Sequence, residues 1–180
     1  MVSGLIPHRY ARALYKFASE TDSCRQVYDE MKNVIQAFRS NAQLEKVMSN
    51  PFVDADDKRK LLISAAGETP GDDFIRFVSL ILDHKREEFA YLMALAYREI
   101  YRKENNISEV NITTAVKLPD SEIAKLKAVV EKSFRDSRFE YNYSVNPDII
   151  GGFVIDVDST RMDASLSSEL EQLRQNLSSN

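Results

Sequence analysis

The hydrophobic pattern of the sequence changes its period at Asn105-Asn106. Before this point apolar residues recur at intervals of three and four, as in amphipathic helices; after it they alternate with polar residues, as in half-buried strands. Such a change predicts two structural parts, residues 1–104 and 105–180, with the segment from Asn105 to Ser108 as hinge or linker. At 180 residues the chain is long enough to bury a core without a metal or a disulfide.

The first part is predicted to be an all-α bundle of six helices, two of them short. Pro7 suits the first position of the first helix, because its missing N–H would be unpaired there anyway. The fifth helix, residues 72–83, is apolar on most sides, which places it in the centre of a bundle or under another chain. The sixth helix is expected to run from about Lys85 to Lys103.

The second part is predicted to be a small α+β unit in the order β-α-β-β-β-α. A strand with alternating apolar residues is followed by a helix that opens at Pro119, and three further strands precede a final helix. Gly151-Gly152 matches no phosphate-binding loop and favours a close strand approach or a bulge. The final helix carries a heptad-like stripe of four leucines, Leu166, Leu170, Leu173 and Leu177, for which two roles stay open: covering the small sheet or packing on another helix.

Charge and cysteine content exclude several classes of protein. The first part holds 16 basic and 16 acidic residues and the second 8 and 12, so the net charge of −4 belongs entirely to the second part. This balance gives no support to a nucleic-acid-binding protein. The single cysteine, Cys24, excludes an internal disulfide framework and a Cys-based zinc site. We find no signal peptide, transit segment or membrane-spanning stretch, so any membrane association is expected through a partner.

The inventory of reactive side chains predicts neither a catalytic nor a metal site. His8 and His84 lie on different predicted helices without an obvious acid or nucleophile beside them. Asp156, Asp158 and Asp163 form the best acidic cluster, which a solvated sheet face and turn explain more simply than a metal or an acid–base pair. We therefore expect a non-enzyme without cofactor, and we keep an enzyme using these three aspartates as the least favoured hypothesis.

The apolar surface of two helices indicates binding of another protein. The first and fifth helices carry more apolar area than a bundle of about a hundred residues needs to hide. We predict that they line a groove for an amphipathic partner helix, although each of the residues concerned would serve equally well in the core. The predicted groove residues are Tyr10, Leu14, Phe17, Phe74, Phe77, Val78 and Ile81.

Two segments resemble the delta subunit of F-type ATP synthases, called the oligomycin-sensitivity-conferring protein in mitochondria. Residues 7–18, PHRYARALYKFA, are similar to the opening helix of that family. Residues 149–157, IIGGFVIDV, followed by RMDAS at 161–165 and a leucine-rich helix, are similar to its C-terminal signature. The residues that carry this second motif are Gly151, Gly152, Asp163, Ser165, Leu170 and Leu173.

The chain departs from the family pattern at two places. The turn between the last two strands usually contains Gly-Asp, whereas this chain has Asp158-Ser159-Thr160. The family often has arginines just after the Asp-x-Ser, whereas residues 166–169 read LSSE. The second departure makes the tail more acidic and puts in doubt any partner contact that uses those arginines.

The resemblance implies a non-catalytic stator subunit that ties the alpha/beta catalytic head to the peripheral stalk, so that the head does not turn with the rotor. By analogy, residues 1–104 receive the N-terminal helix of an alpha subunit between the first and fifth helices, and residues 105–180 meet the b-type stalk subunits. The absence of a transit segment favours a bacterial protein at the cytoplasmic face of the cell membrane, held there through the complex. The alternative is a helix-binding adaptor or regulatory module unrelated to ATP synthase.

Overall fold

The computed structural model describes residues 4–134 and 138–178, with the side chains of the final helix as far as residue 175. The chain divides into two compact units, residues 1–104 and 105–180. The helices of the first unit are α1 (Leu5–Glu20), α2 (Cys24–Ser40), α3 (Ala42–Ser49), α4 (Ala55–Ala66), α5 (Asp72–Asp83) and α6 (Ala90–Glu104). The second unit contains β1 (Ile107–Thr114), α7 (Asp120–Ser133), β2 (Arg138–Val145), β3 (Gly152–Val157), β4 (Thr160–Ser165) and α8 (Leu166–Ser178). A helical part followed by a mixed α/β part is therefore confirmed.

The core of the first unit has an aromatic centre. Tyr28 on α2 stacks on Tyr101 of α6, with ring centroids 4.2 Å apart and planes 21° apart. Such a pair contributes about 0.5–1.5 kcal/mol beyond its area burial. The buried hydroxyl of Tyr97 donates to the backbone oxygen of Cys24 at 3.2 Å, and Arg102 Nε donates to the Tyr28 hydroxyl at 3.0 Å. The hydroxyls of Tyr97 and Tyr28 are thus satisfied inside the bundle, and their bonds join α2 to α6.

The boundary between α5 and α6 differs from the prediction. Helix α5 ends in a Schellman motif, in which Lys85 adopts a left-handed conformation (φ 54°). Its N–H donates to Leu82 O at 2.9 Å, and the N–H of Arg86 donates to Ile81 O at 2.8 Å. The predicted start of the sixth helix at about Lys85 is wrong for this reason. A 3₁₀ turn over Glu87–Phe89 follows, and α6 begins only at Ala90.

The second unit is built on a four-stranded sheet of order β2-β1-β3-β4. Strands β1 and β2 are parallel, so the chain crosses back between them through α7, whereas β1–β3 and β3–β4 are antiparallel. Alternate residues of the central strands point to the face that α7 covers. The core cluster of this unit consists of Val110, Ile112, Leu126, Val130, Ile155 and Val157.

The glycine pair at the start of β3 permits a close approach of two strands. Gly152 has a φ of +75°, and a Cβ at this position would collide with the backbone oxygen of Ala164 on β4. A Cβ on Gly151 would lie 2.7 Å from Cδ1 of Leu166, the first residue of α8. The pair therefore fixes the β3–β4 hairpin and the position from which α8 starts.

We expect Gly152→Ala to lower the free energy of unfolding by more than about 1 kcal/mol. The backbone strain alone costs about 1–3 kcal/mol, and the steric collision adds to it. Urea denaturation of the full chain measures this change. Gly4→Ala is the matched control, because a Cβ at Gly4 meets no atom within 4 Å. Its effect should stay within about 0.5 kcal/mol. Equal stabilities of the two variants would contradict this role of Gly152.

Candidate functional site

The acidic cluster of the second unit is occupied by structural contacts. Asp156 on β3 accepts hydrogen bonds from Arg161 on β4 at 2.6 and 3.1 Å, which lower the pKa of its carboxyl group. Asp158 lies in the hairpin turn and accepts from the backbone N–H of Glu109 at 3.0 Å. Within residues 4–134 and 138–178, no group of three His, Cys, Asp or Glu side chains is arranged to hold a metal ion. The cluster thus has a structural explanation.

Ser165 caps α8, because its hydroxyl oxygen accepts from the backbone N–H of Ser168 at 3.3 Å, and Asp163, the other residue of the Asp-x-Ser motif, holds this cap in place. The Asp163 carboxylate accepts from the N–H and hydroxyl of Ser165, at 3.0 and 2.6 Å, and from the hydroxyl of Ser168 at 2.7 Å. Of these bonds, the one from the Ser165 hydroxyl contributes most to lowering the pKa of Asp163. The motif therefore directs the chain from the last strand into the last helix.

The other reactive side chains are also engaged in local contacts. His8 Nε2 lies 3.9 Å from a carboxylate oxygen of Glu99. The Cys24 thiol points to the backbone oxygen of Tyr15 at 3.8 Å. Burial raises the pKa of this thiol, which lowers its fraction of nucleophilic thiolate. None of these groups forms a catalytic pair with a neighbour, so surfaces are the remaining candidates for function.

An open groove runs along the surface between α1 and α5. It has a volume of about 430 Å³. Helices α1 and α5 are in contact, and the seam between them forms the bottom of the groove. The residues that line it are Ile6, Arg9, Tyr10, Ala13, Leu80, His84 and Arg86.

Most of the residues predicted for this groove lie deeper in the bundle. The buried ones are Leu14, Phe74, Phe77, Val78 and Ile81. Tyr10 is half-buried and lines the groove, and Phe17, 37% exposed, lies on the same side of α1. The predicted residues of α5 are buried because this helix is apolar on most sides and packs its wide apolar face into the core. Only a narrow apolar strip remains at the surface.

The prediction includes Tyr10 and Phe17 but omits Ile6 and Ala13 on the same face of α1 and Leu80 on α5. On α1 the surface strip consists of Ile6, Tyr10, Ala13 and Phe17, at intervals of four, three and four, one face of a helix. Leu80, 43% exposed, supplies the apolar side chain on α5. The spacing is visible in the sequence, but only the packing of α1 on α6 shows that the face next to it is the buried one.

A hydrogen bond joins the two walls of the groove near one end. The hydroxyl of Tyr10 and Nδ1 of His84 are 3.1 Å apart, and the two rings meet edge to face with centroids 6.2 Å apart. His84 is therefore part of the wall of the groove. Its location follows from the C-terminal end of α5, where it is the cap residue.

Asp73 ties the N-terminal end of α5 to the turn between α1 and α2. Its buried carboxylate accepts from the hydroxyls of Thr21 and Ser23, at 2.5 and 2.6 Å. These two bonds, that of Ser23 foremost, lower the pKa of Asp73. The clamp sets the spacing of α1 and α5 at the end of the helices remote from His84.

A second depression, of about 590 Å³, lies beside the turn between α3 and α4. Its lining combines the exposed ring of Phe52 with the ion pair of Lys58 and Glu87, whose Nζ and Oε1 are 2.7 Å apart. Both side chains of the pair are largely buried, so it joins α4 to the 3₁₀ turn before α6. The charged lining sets this depression apart from the apolar strip between α1 and α5.

The leucine stripe of α8 is open to solvent. Leu166 is 47% exposed, Leu170 54% and Leu173 58%, while the side chain of Leu177 lies outside those described. Helix α8 contacts β4 and the 3₁₀ turn over Pro147–Ile149. An exposed row of large apolar side chains marks an interaction surface.

Comparison with known proteins shows the family to which these surfaces belong. The family model of the ATP synthase delta (OSCP) subunit matches residues 6–177. ATP synthase subunit delta of Parabacteroides distasonis is 35% identical over 177 residues, which cover 98% of each chain. The chain belongs to the ATP synthase delta (OSCP) subunit family. The same subunit of Phocaeicola vulgatus is 33% identical, over 97% of this chain and 95% of its own.

A solved structure shows the same fold. A chain of the Toxoplasma gondii mitochondrial ATP synthase hexamer aligns with a TM-score of 0.71 and 18% identity, covering 95% of this chain and 96% of that chain. Delta (OSCP) subunits are non-catalytic, peripheral components of ATP synthase. In the described part of the chain, no helix is long and apolar enough to cross a membrane.

The Asp73 clamp generates a stability prediction. Asp73→Ala should lower the free energy of unfolding at pH 7 by about 1.5–3 kcal/mol, because it removes two hydrogen bonds to a charged acceptor. Asp72→Ala is the matched control: Asp72 lies in the same first turn of α5 but is exposed. It should cost only about 0.3–1 kcal/mol, through the helix dipole.

The clamp should also depend on pH. Since folding lowers the pKa of Asp73, its contribution is fully present above the unfolded value of about 3.9 and is lost as the pH falls through the folded value. Urea denaturation between pH 7 and about pH 3.5 should show the difference between wild type and Asp73→Ala shrinking with acidity. A difference that is constant, or grows, would contradict the clamp.

Proposed function

We propose that this protein is the stator subunit that links the alpha/beta catalytic head of an ATP synthase to its peripheral stalk, at the cytoplasmic face of a bacterial cell membrane. The first unit binds the head and the second binds the b-type stalk subunits. The observation that carries the proposal is that each compact unit exposes an apolar surface of its own, in a chain matched by the family from residue 6 to residue 177.

The groove between α1 and α5 is the surface proposed for the head. Its apolar strip extends from Ile6 to Phe17 on α1 and includes Leu80 on α5, a shape suited to a helix that presents residues at intervals of three and four. We assign it to the N-terminal helix of an alpha subunit. The buried residues that were predicted for the groove, Leu14 on α1 and Phe77 and Ile81 on α5 among them, pack in the core behind its two walls and keep them rigid.

Helix α8 is the surface proposed for the stalk. Leu166, Leu170 and Leu173 form a row on one side of the helix, at intervals of four and three. The cap at Ser165, held by Asp163, and the hydrogen bond that the Leu166 N–H donates to Gly151 O fix where this row begins. The stripe therefore extends from a rigid hairpin, as a surface that carries load requires.

Holding a head against rotor torque requires slow dissociation more than fast encounter. Apolar side chains in a groove with rigid walls favour slow dissociation, because they must be exposed to water before the partner leaves. No proton transfer or bond chemistry is needed for this task. The proposal therefore agrees with the structural roles of the aspartates and histidines described above.

Two substitutions should separate the two attachments. Leu80→Asp should weaken binding of the full chain to the isolated catalytic head by at least about tenfold, and leave its binding to the isolated stalk subunits unchanged. Leu173→Asp should have the opposite selectivity. Each affinity is measured separately by titration of the full-length protein with head or stalk.

The controls place the same new charge on similarly exposed apolar residues elsewhere. Leu61→Asp on α4 is the control for Leu80, with 40% exposure against 43%, and Val129→Asp on α7 is the control for Leu173. Both controls should bind head and stalk as the wild type does. If Leu80→Asp retains full affinity for the head, or if Leu61→Asp loses as much, the groove is not the head-binding surface.

A further inference from the structure

We propose that the groove between α1 and α5 selects a helix whose apolar stripe is flanked by acidic side chains. This inference rests on the proposed function, since it concerns the same groove, and it specifies the chemistry of the partner helix. It is carried by the distribution of charge along the two rims of the groove.

On α1 the rim is basic. Arg9 lines the groove, and Lys16 lies seven residues further along, on the same face of the helix. Both side chains are exposed, and no ion pair in the described part of the chain engages either of them. Glu20 follows Lys16 by one turn, at the end of α1, and is the acidic residue of this row.

On α5 the rim carries two basic residues. Arg76 lies four residues before Leu80 and thus on the same face, and Arg86 lines the groove where α5 ends. Its acidic residues are Asp83, which lies between them in sequence, and Asp72, one turn before Arg76. The lining of the groove itself includes two guanidinium groups, those of Arg9 and Arg86, and no carboxylate, whereas the first unit as a whole has no net charge.

The excess of positive charge is therefore local to the groove. Exposed ion pairs between rim and partner are individually weak, but several of them acting together change affinity by about tenfold at low salt. Their contribution falls as ionic strength rises, because the Debye length shortens to about 10 Å at 0.1 M. Charge thus adds selectivity to a groove whose binding is otherwise apolar.

The dimensions of the strip bound the length of the partner helix. Ile6 and Phe17 are eleven residues apart, which is about 16 Å along α1. A helix of about three turns covers this distance. The occupant is therefore a short amphipathic helix with apolar residues at intervals of three and four and Glu or Asp on both sides of the stripe.

Two synthetic peptides test the inference on the full-length protein. Both have the same helical leucine stripe; the flanking positions are Glu and Gln in one and Lys and Gln in the other. Binding is measured by fluorescence anisotropy, and the contact surface by amide shifts of the labelled chain. At about 50 mM salt the Glu peptide should bind at least about tenfold more tightly, and at about 500 mM the difference should fall below about threefold.

Charge reversal on the protein should reverse this preference. Arg9→Glu combined with Arg86→Glu should favour the Lys peptide. The matched control, Lys60→Glu combined with Lys125→Glu, makes the same change in net charge at exposed positions on α4 and α7. It should retain the preference of the wild type, and circular dichroism verifies that both variants are folded.

The possible outcomes separate this inference from the proposed function. Equal binding of both peptides in the groove, or tighter binding of the Lys peptide, overturns the acidic preference and leaves the groove as a helix-binding site. If neither peptide binds, the inference is overturned as well, and the titration with the intact head then decides whether the proposed function stands. Tighter binding of the Glu peptide outside α1 and α5 also contradicts the inference.

Discussion

The Asp73 carboxylate is the contact on which the geometry of the first unit depends. It accepts hydrogen bonds from Thr21 and Ser23 and so holds the start of α5 against the turn that ends α1. The bond between Tyr10 and His84 joins the same two helices at their other ends. Between these two attachments a groove of about 430 Å³ lies at the surface.

In the second unit, backbone geometry holds the elements beside the exposed apolar surface in place. Gly152 lets β3 approach β4 more closely than any side chain permits, and Ser165, held by Asp163, then caps the helix that follows. The result is that α8 leaves the sheet at a fixed point with its leucine row facing solvent, Leu173 being 58% exposed. In both units the polar and glycine residues of the motifs serve to display apolar side chains. This explains why aspartates that resemble a reactive cluster are engaged in structural contacts.

Much of the fold is predictable from the sequence, and much less of the site. The change of period at Asn105-Asn106 reports backbone conformation directly, because helices and strands repeat their side chains at different intervals. The groove is less predictable, because Leu14 and Leu80 are equally apolar in the sequence. Only the packing of α6 and the other helices shows that Leu14 is covered and Leu80 is not. The sequence pattern also predicts the start of α6 too early, for a related reason. Lys85 adopts a left-handed conformation, which the presence of a lysine in the sequence does not predict.

The central claim is that the covalent link between the two units transmits torque. The most direct test uses a variant with a protease site inserted between Glu104 and Asn105, where the units divide. ATP-driven proton pumping and ATP hydrolysis are measured in membranes that contain the complex, before and after cleavage. We expect the cut to abolish ATP-driven proton pumping while ATP hydrolysis continues, because head and stalk stay bound to separate halves. Pumping that persists at the uncut level after complete cleavage would contradict the account.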